Sequence, residues 1–306
     1  MSTSGSKRAI VAALLANAGI ATAKFVGFLI TGSSSMLAEG VHSIADTSNQ
    51  GLLLWGQRQA DKEPDALHQF GYGRSRYFYS FVVALVLFSL GAAFALYEGY
   101  EKVVHPHELT SPLVAVAILG VAICLESYSF RTAMVESRPL KGSGSWWQFI
   151  RRSRNPELPV VLLEDTGALI GLALALAGVG LTVATGNPVW DGVGTLCIGV
   201  LLAVIAVILM IEMHSALIGE GATLQEGQAI RSALEQTAHI DRVIHLRTQY
   251  MGPDDLLVGA KIALASGTDL ATVAASIDAA EVAVRAAVPA ATVIYLEPDL
   301  DRALTS

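Results

Sequence analysis

Charge is what this sequence has least of. Only 15% of its 306 residues are Asp, Glu, Lys or Arg, against about 25% in ordinary soluble domains. The mean hydropathy is +0.51, which excludes an ordinary soluble globule and points to a membrane protein. Aromatic residues make up only 7%, while glycine contributes 28 positions, a balance that suits closely packed transmembrane helices. Cysteine is nearly absent. Cys124 and Cys197 sit in separate apolar runs with no CxxC, so they read as free thiols packed in the bilayer and carry no information on redox compartment. There is no HExxH, and the one Gly-Ser-Gly run, Gly142–Gly144, has no partner base beside it. The chain therefore does not read as an enzyme.

The net charge of −7 is unevenly placed, with twelve Asp and Glu against six Lys and Arg from Gly219 onward. An acidic tail argues against nucleic acid as a partner. The charged start and apolar run of MSTSGSKRAIVAALL continue past signal-peptide length, so they read as a first transmembrane helix.

Six stretches meet the length of about 20 residues needed to cross a bilayer. They are Ala9–Thr31, Ser34–Trp55, Tyr77–Val104, Ser111–Val135, Leu158–Thr185 and Val189–His214. Basic residues set the orientation. Lys7 and Arg8 precede the first span, Arg58, Lys62, Arg74 and Arg76 follow the second, and Arg131, Arg138, Lys141, Arg151, Arg152 and Arg154 lie at or between the ends of the fourth and fifth. The other side offers only Lys102. Both termini are therefore expected in the cytoplasm. The membrane expected is a bacterial plasma membrane, because nothing resembles an organellar transit segment. The segment Lys141–Asn155, with two tryptophans beside three arginines, reads as an anchor in the cytoplasmic leaflet.

Beyond the sixth span the pattern changes. Leu224–Ala238 and Leu270–Val288 read as helices, and Val243–Tyr250, Leu256–Ala263 and Ala291–Leu296 as strands, with a turn at Met251–Asp255. The fold class expected is a multi-span α-helical membrane protein followed by a small αββαβ domain. Residues 1–217 would form the six-helix membrane domain and residues 218–306 a cytoplasmic one.

The chemistry concentrates in the second and fifth spans. Glu39, His42, Asp46 and Asn49 follow one another at steps of three and four residues, so they line one helical stripe. Ionisable groups are costly in hydrocarbon. His42 and Asp46, one turn apart, offer imidazole and carboxylate to a divalent metal ion; interhelical hydrogen bonding is the competing reading. In the fifth span Glu164 and Asp165 are adjacent carboxylates, whose mutual repulsion calls for a proton or a cation. A metal ion held by His42, Asp46 and Asp165 would supply it. The second span runs inward and the fifth outward, with both polar clusters well inside them.

Ser34–Asp46 (SSMLAEGVHSIAD) and His68–Tyr77 (HQFGYGRSRY), with Leu163–Gly171 (LEDTGALIG) and the ending Val293–Pro298 (VIYLEP), give the chain a resemblance to the cation diffusion facilitators. These are six-span metal exporters with a cytoplasmic metallochaperone-like domain. The resemblance covers nearly the whole chain. In that family the second and fifth spans each supply a His/Asp pair at i, i+4. Here the fifth span matches only at Asp165, because the position four earlier is Val161. In this it is similar to the branch that includes the eukaryotic zinc transporter nine.

Three protein ligands remain, and water, Glu164, Asn49 or Glu39 would complete the set. Glu164 lies about 100° around the helix from Asp165, so a proton carrier or a helix contact fits it equally well. The resemblance implies proton-coupled export of a divalent cation, zinc first and manganese, iron or cobalt as alternatives, with no resident cofactor. It also implies a homodimer joined through the tail domain. Lys261 and Tyr295 stand where histidines are often found in that domain, so a full binuclear zinc site is not expected there. A non-transporting metal-sensing or scaffold subunit is the rival reading. Lys24 is expected to be structural, Glu126 to serve the ion path or a buried hydrogen bond, and His68 and Tyr72 to be structural.

Overall fold

The computed structural model describes all residues except 1, 32–33, 107–111, 266 and 300–306; the side chains of residues 2–4, 28, 30–31, 34–42, 45, 88, 112 and 152 also lie outside the described set. The chain folds as two compact units, one of residues Met1–Gln59 with Ser75–His214 and one of Ala60–Arg74 with Ser215–Ser306. The membrane unit is helical: α1 (Ser2–Thr31), α2 (Ser34–Ala60), α3 (Ser75–Val86) continuing through a π-helical turn (Leu87–Ala92) into α4 (Ala93–Val104), α5 (Pro112–Lys141), α6 (Trp146–Arg152), α7 (Glu157–Thr185) and α8 (Val189–Ile218).

Among the described residues, five rods are long and apolar enough to cross a membrane: Gly5–Gly27, Ser75–Val104, Leu113–Lys141, Glu157–Thr185 and Val189–Ile218. The remaining expected span, the second in the chain, is α2, a helix of 27 residues. It fails the apolar criterion because Glu39, His42, Asp46, Asn49, Gln50, Gln57 and Arg58 all lie on it. The same residues that suggest chemistry remove it from a hydropathy count.

Local chemistry sets the ends. Gly186 closes α7 in the left-handed region at φ 65°. The Asn187 side chain then accepts from the Val189 amide at 3.1 Å to start α8. Ser145 and Gln148 make a reciprocal capping box for α6, so the expected interfacial anchor contains a short helix with Phe149 buried and Trp147 exposed. Ser89 Oγ donates to the Leu85 carbonyl at 2.8 Å, inside the region where the third crossing widens to π geometry. Helices α4 and α8 pack backbone to backbone: a Cβ on Gly99 would lie 2.7 Å from Leu196 N, and one on Gly199 2.8 Å from Leu96 N. Cys124 and Cys197 are free and exposed.

The second unit has the expected αββαβ order: α9 (Leu224–Glu235), β1 (Ile240–Gly252), β2 (Asp255–Leu264), α10 (Leu270–Ala287) and β3 (Val293–Asp299). The strands run β1-β2-β3 across the sheet, antiparallel for the first pair and parallel for the second. A tight turn suffices for the antiparallel pair, whereas the parallel pair needs α10 as its crossover. Leu256, Val258, Ala260 and Ile262 alternate onto one face and are buried with Ile230 and Leu234 of α9 and Val284 of α10. The opposite face carries Lys261, which bonds Asp299 at 2.9 Å and Glu297 at 3.0 Å; those two hydrogen bonds raise its pKa.

Candidate metal-transport site

Helix α2 turns two neutral amides towards α7. Gln50, fully buried, donates through Nε2 to Glu164 Oε2 at 2.8 Å, and Asn49 Nδ2 lies 3.5 Å from Glu164 Oε1. Behind them Asn17 of α1 donates to Gln50 Oε1 at 3.4 Å. Glu164 on α7 is thus hydrogen-bonded to α2, and Gln50 carries the contact on to α1. Asp165 faces another way. Its Oδ2 accepts from Ser129 Oγ of α5 at 2.8 Å, and both residues are buried. Adjacent helical residues diverge by about 100°, and that angle sends one carboxylate to α2 and the other to α5.

Asp46 is half-buried and interacts electrostatically with both Glu126 and Glu164. Glu126, buried in α5, is within range of Asp165 and Lys24 as well. The structure thus gathers Asp46, Glu126, Glu164 and Asp165 into one acidic neighbourhood from three helices. Asn49 brings an amide whose Oδ1 is buried without a hydrogen-bond partner among the described residues. The side chains of His42 and Glu39 lie outside the described set. Among the described residues, no three His, Cys, Asp or Glu side chains meet in a geometry that would hold a metal ion. Val161, where a further ligand would stand, is fully buried in the apolar core.

Sequence reasoning missed Ser129, Gln50 and Asn17. Ser129 stands three residues after Glu126, which is the same-face spacing of a helix, and Gln50 neighbours Asn49. Arg76 counts in the sequence only as one of the basic residues that set orientation. The guanidinium is instead buried, bonding Glu157 through Nε at 2.5 Å and Nη2 at 2.8 Å. Ser6 Oγ lies 3.4 Å from the same carboxylate, and Gln57 donates to Ser6 at 2.7 Å.

The rest of the α2–α3 connection is built around Asp65. Its carboxylate accepts from the amides of Leu67 at 2.9 Å and His68 at 2.7 Å, and from Tyr72 Oη at 2.5 Å. These bonds, Tyr72's first, lower its pKa to about 2 and raise that of Tyr72. The His68 ring stacks at 4.4 Å on Tyr72. Gly73 rests on the β1–β2 turn, where an added Cβ would lie 2.9 Å from Gly252 Cα and from Met251 O. Both residues of the motif are thus occupied in holding the loop.

The family pattern for a cation efflux transmembrane domain matches residues 10–218. The mitochondrial proton-coupled zinc antiporter SLC30A9 of Homo sapiens is 35% identical over 224 residues, covering 72% of this chain and 39% of that protein. Metal tolerance protein C4 of Arabidopsis thaliana is 30% identical over 261 residues, 84% of this chain and 57% of the relative. Zinc transporter ZitB of Pectobacterium atrosepticum is 32% identical over 119 residues, 39% of this chain and 37% of the relative. The chain spans about two fifths of the length of the SLC30A9 antiporters it matches. With long apolar helices, an acidic neighbourhood among them and this match over most of its length, the chain belongs to the cation efflux family of membrane transport proteins.

Proposed function

We propose that the protein exports a divalent cation, zinc first, in exchange for protons. It would act as a homodimer joined through residues 218–306, with residues 1–217 forming the transport domain. His42 and Asp46 of α2 and Asp165 of α7 are the proposed ligands, with Asn49 Oδ1 or water completing the shell. Glu164, engaged by Gln50 and Asn49, acts in this reading as a support and proton-bearing neighbour. One observation carries the proposal: carboxylates from α2, α5 and α7, half-buried on α2 and buried on α5 and α7, lie within electrostatic range of one another, an arrangement that favours a multivalent cation. The activity for which the SLC30A9 relatives are named, proton-coupled zinc antiport, agrees with it.

Metal ligation requires deprotonated His and Asp, so loading from the cytoplasm releases protons. Protons arriving from the other side then compete the ion away, and a histidine in the set brings that competition near neutral pH. Three protein ligands with an open position favour exchange over storage. The basic residues gathered on one side support cytoplasmic termini, and a bacterial plasma membrane is the location proposed. Asp46→Ala or His42→Ala should abolish zinc uptake into inverted vesicles while the protein still assembles; transport at wild-type rate in both would overturn the ligand assignment.

A further inference from the structure

Lys24 is an unusual neighbour for this site. It lies on α1, half-buried, and its Nζ donates to Ser43 Oγ at 3.0 Å. Ser43 is buried on α2, one residue after His42 and three before Asp46, so the ammonium reaches the helical face that carries Asp46. It also interacts electrostatically with Glu126, which in turn feels Asp46 and Asp165. Among the described residues, Arg76 pairs with Glu157, and Lys102 with Glu98 and Asp191.

We propose that Lys24 is the tethered counter-cation of the transport site, held at the Ser43 face when the site is vacant and displaced when the divalent ion binds. Several carboxylates sharing a low-dielectric interior need positive charge nearby. A lysine supplies it from a covalent tether, at a high effective concentration, and its flexible stem lets the ammonium withdraw without moving α1. The divalent ion replaces a single charge with a double one, so displacement runs forward when cargo is present. On the return step the ammonium competes for the same carboxylates, which weakens apparent affinity and speeds release. A protein whose vacant site is partly occupied by its own cation shows an apparent dissociation constant equal to the intrinsic one divided by the unoccluded fraction.

The proposal rests on the transport reading, and the test separates the two. Initial rates of zinc uptake are measured against zinc concentration in vesicles holding the full-length wild type, Lys24→Gln, Lys24→Arg or Ser43→Ala. Lys24→Gln is expected to lower the half-saturating zinc concentration by about fivefold, the low end of ordinary coupling between sites, and to lower the maximal rate because release slows. Lys24→Arg keeps wild-type values. Ser43→Ala shifts half-saturation in the same direction by less, and it decides the matter should Lys24→Gln fail to fold. An unchanged or higher half-saturating concentration in the folded Lys24→Gln, or in Ser43→Ala where it stands alone, overturns the counter-cation role, since a purely structural lysine would leave affinity alone or weaken it. Absence of zinc uptake in the wild type would overturn the transport reading itself.

Discussion

Arg76 and Glu157 meet as a two-bonded fork, 2.5 Å and 2.8 Å long, with 5% and 1% of their side chains exposed. The pair ties α3 to the start of α7, and Ser6 and Gln57 extend it to α1 and α2. A buried pair loses most when one partner is removed, because the survivor remains charged and unpaired. Glu157→Gln or Arg76→Met should each cost about 3–5 kcal/mol, while the double replacement by Met recovers much of that. Thermal unfolding of the purified protein in detergent measures it. Losses below about 1 kcal/mol in both single variants, as for an exposed pair, would contradict the burial.

Asp65 gives a pH prediction with a definite sign. Its folded pKa, about 2, lies below the unfolded value of about 3.9. The ordering it contributes is complete above that unfolded value and fades as pH falls through about 2. Tyr72→Phe removes the largest cause of the shift, so the Asp65 carboxyl should titrate closer to an ordinary aspartate. Carbon-13 NMR of the labelled aspartates follows it; an unmoved Asp65 titration in Tyr72→Phe would contradict the assignment.

Gly73 and Gly252 test the seating of the loop on the β1–β2 turn. A Cβ at Gly73 would press on backbone atoms at 2.9 Å, which cannot swing aside as a side-chain tip does. Gly73→Ala should cost about 1–3 kcal/mol and expose the 60–74 segment to proteolysis. Gly227, inside α9 with nothing within 4 Å of its Cβ position, is the control: Gly227→Ala should stabilise by roughly 0.5–1 kcal/mol. Equal cleavage rates in the wild type and Gly73→Ala would contradict the packing.

Ser129 should matter most when the site is empty. Its hydroxyl is the donor to Asp165, and Ser129→Ala leaves that buried oxygen unsatisfied at a cost of about 1–3 kcal/mol. Bound cation would satisfy the same carboxylate, so added zinc should narrow the stability gap between variant and wild type, beyond the ordinary mass-action gain. Melting curves with and without zinc read this directly. A gap that zinc leaves unchanged would place the ion away from Asp165.

The sequence made the architecture legible because hydropathy and turn chemistry are local. The apolar rods, the αββαβ tail and the Met251–Asp255 turn needed only residues near one another in the chain. Polar residues mark α2 as the candidate functional helix, and for that reason it stands apart from the five apolar rods. What could not be read were partners between distant segments. Arg76 and Glu157 are 81 positions apart, and Gln50 and Glu164 114 apart; nothing in either local pattern says that they meet. The divergence of Glu164 and Asp165 follows from helix geometry, but which neighbour each faces depends on how the helices pack.

The central claim is that one cation sits between α2 and α7, bound by Asp46 and Asp165. Anomalous X-ray scattering at the zinc edge, from crystals of the zinc-loaded protein, tests it most directly. The account predicts a peak at about 2.0–2.2 Å from a carboxylate oxygen of each residue. Zinc peaks confined to other parts of the molecule, with those two carboxylates bare, would contradict it.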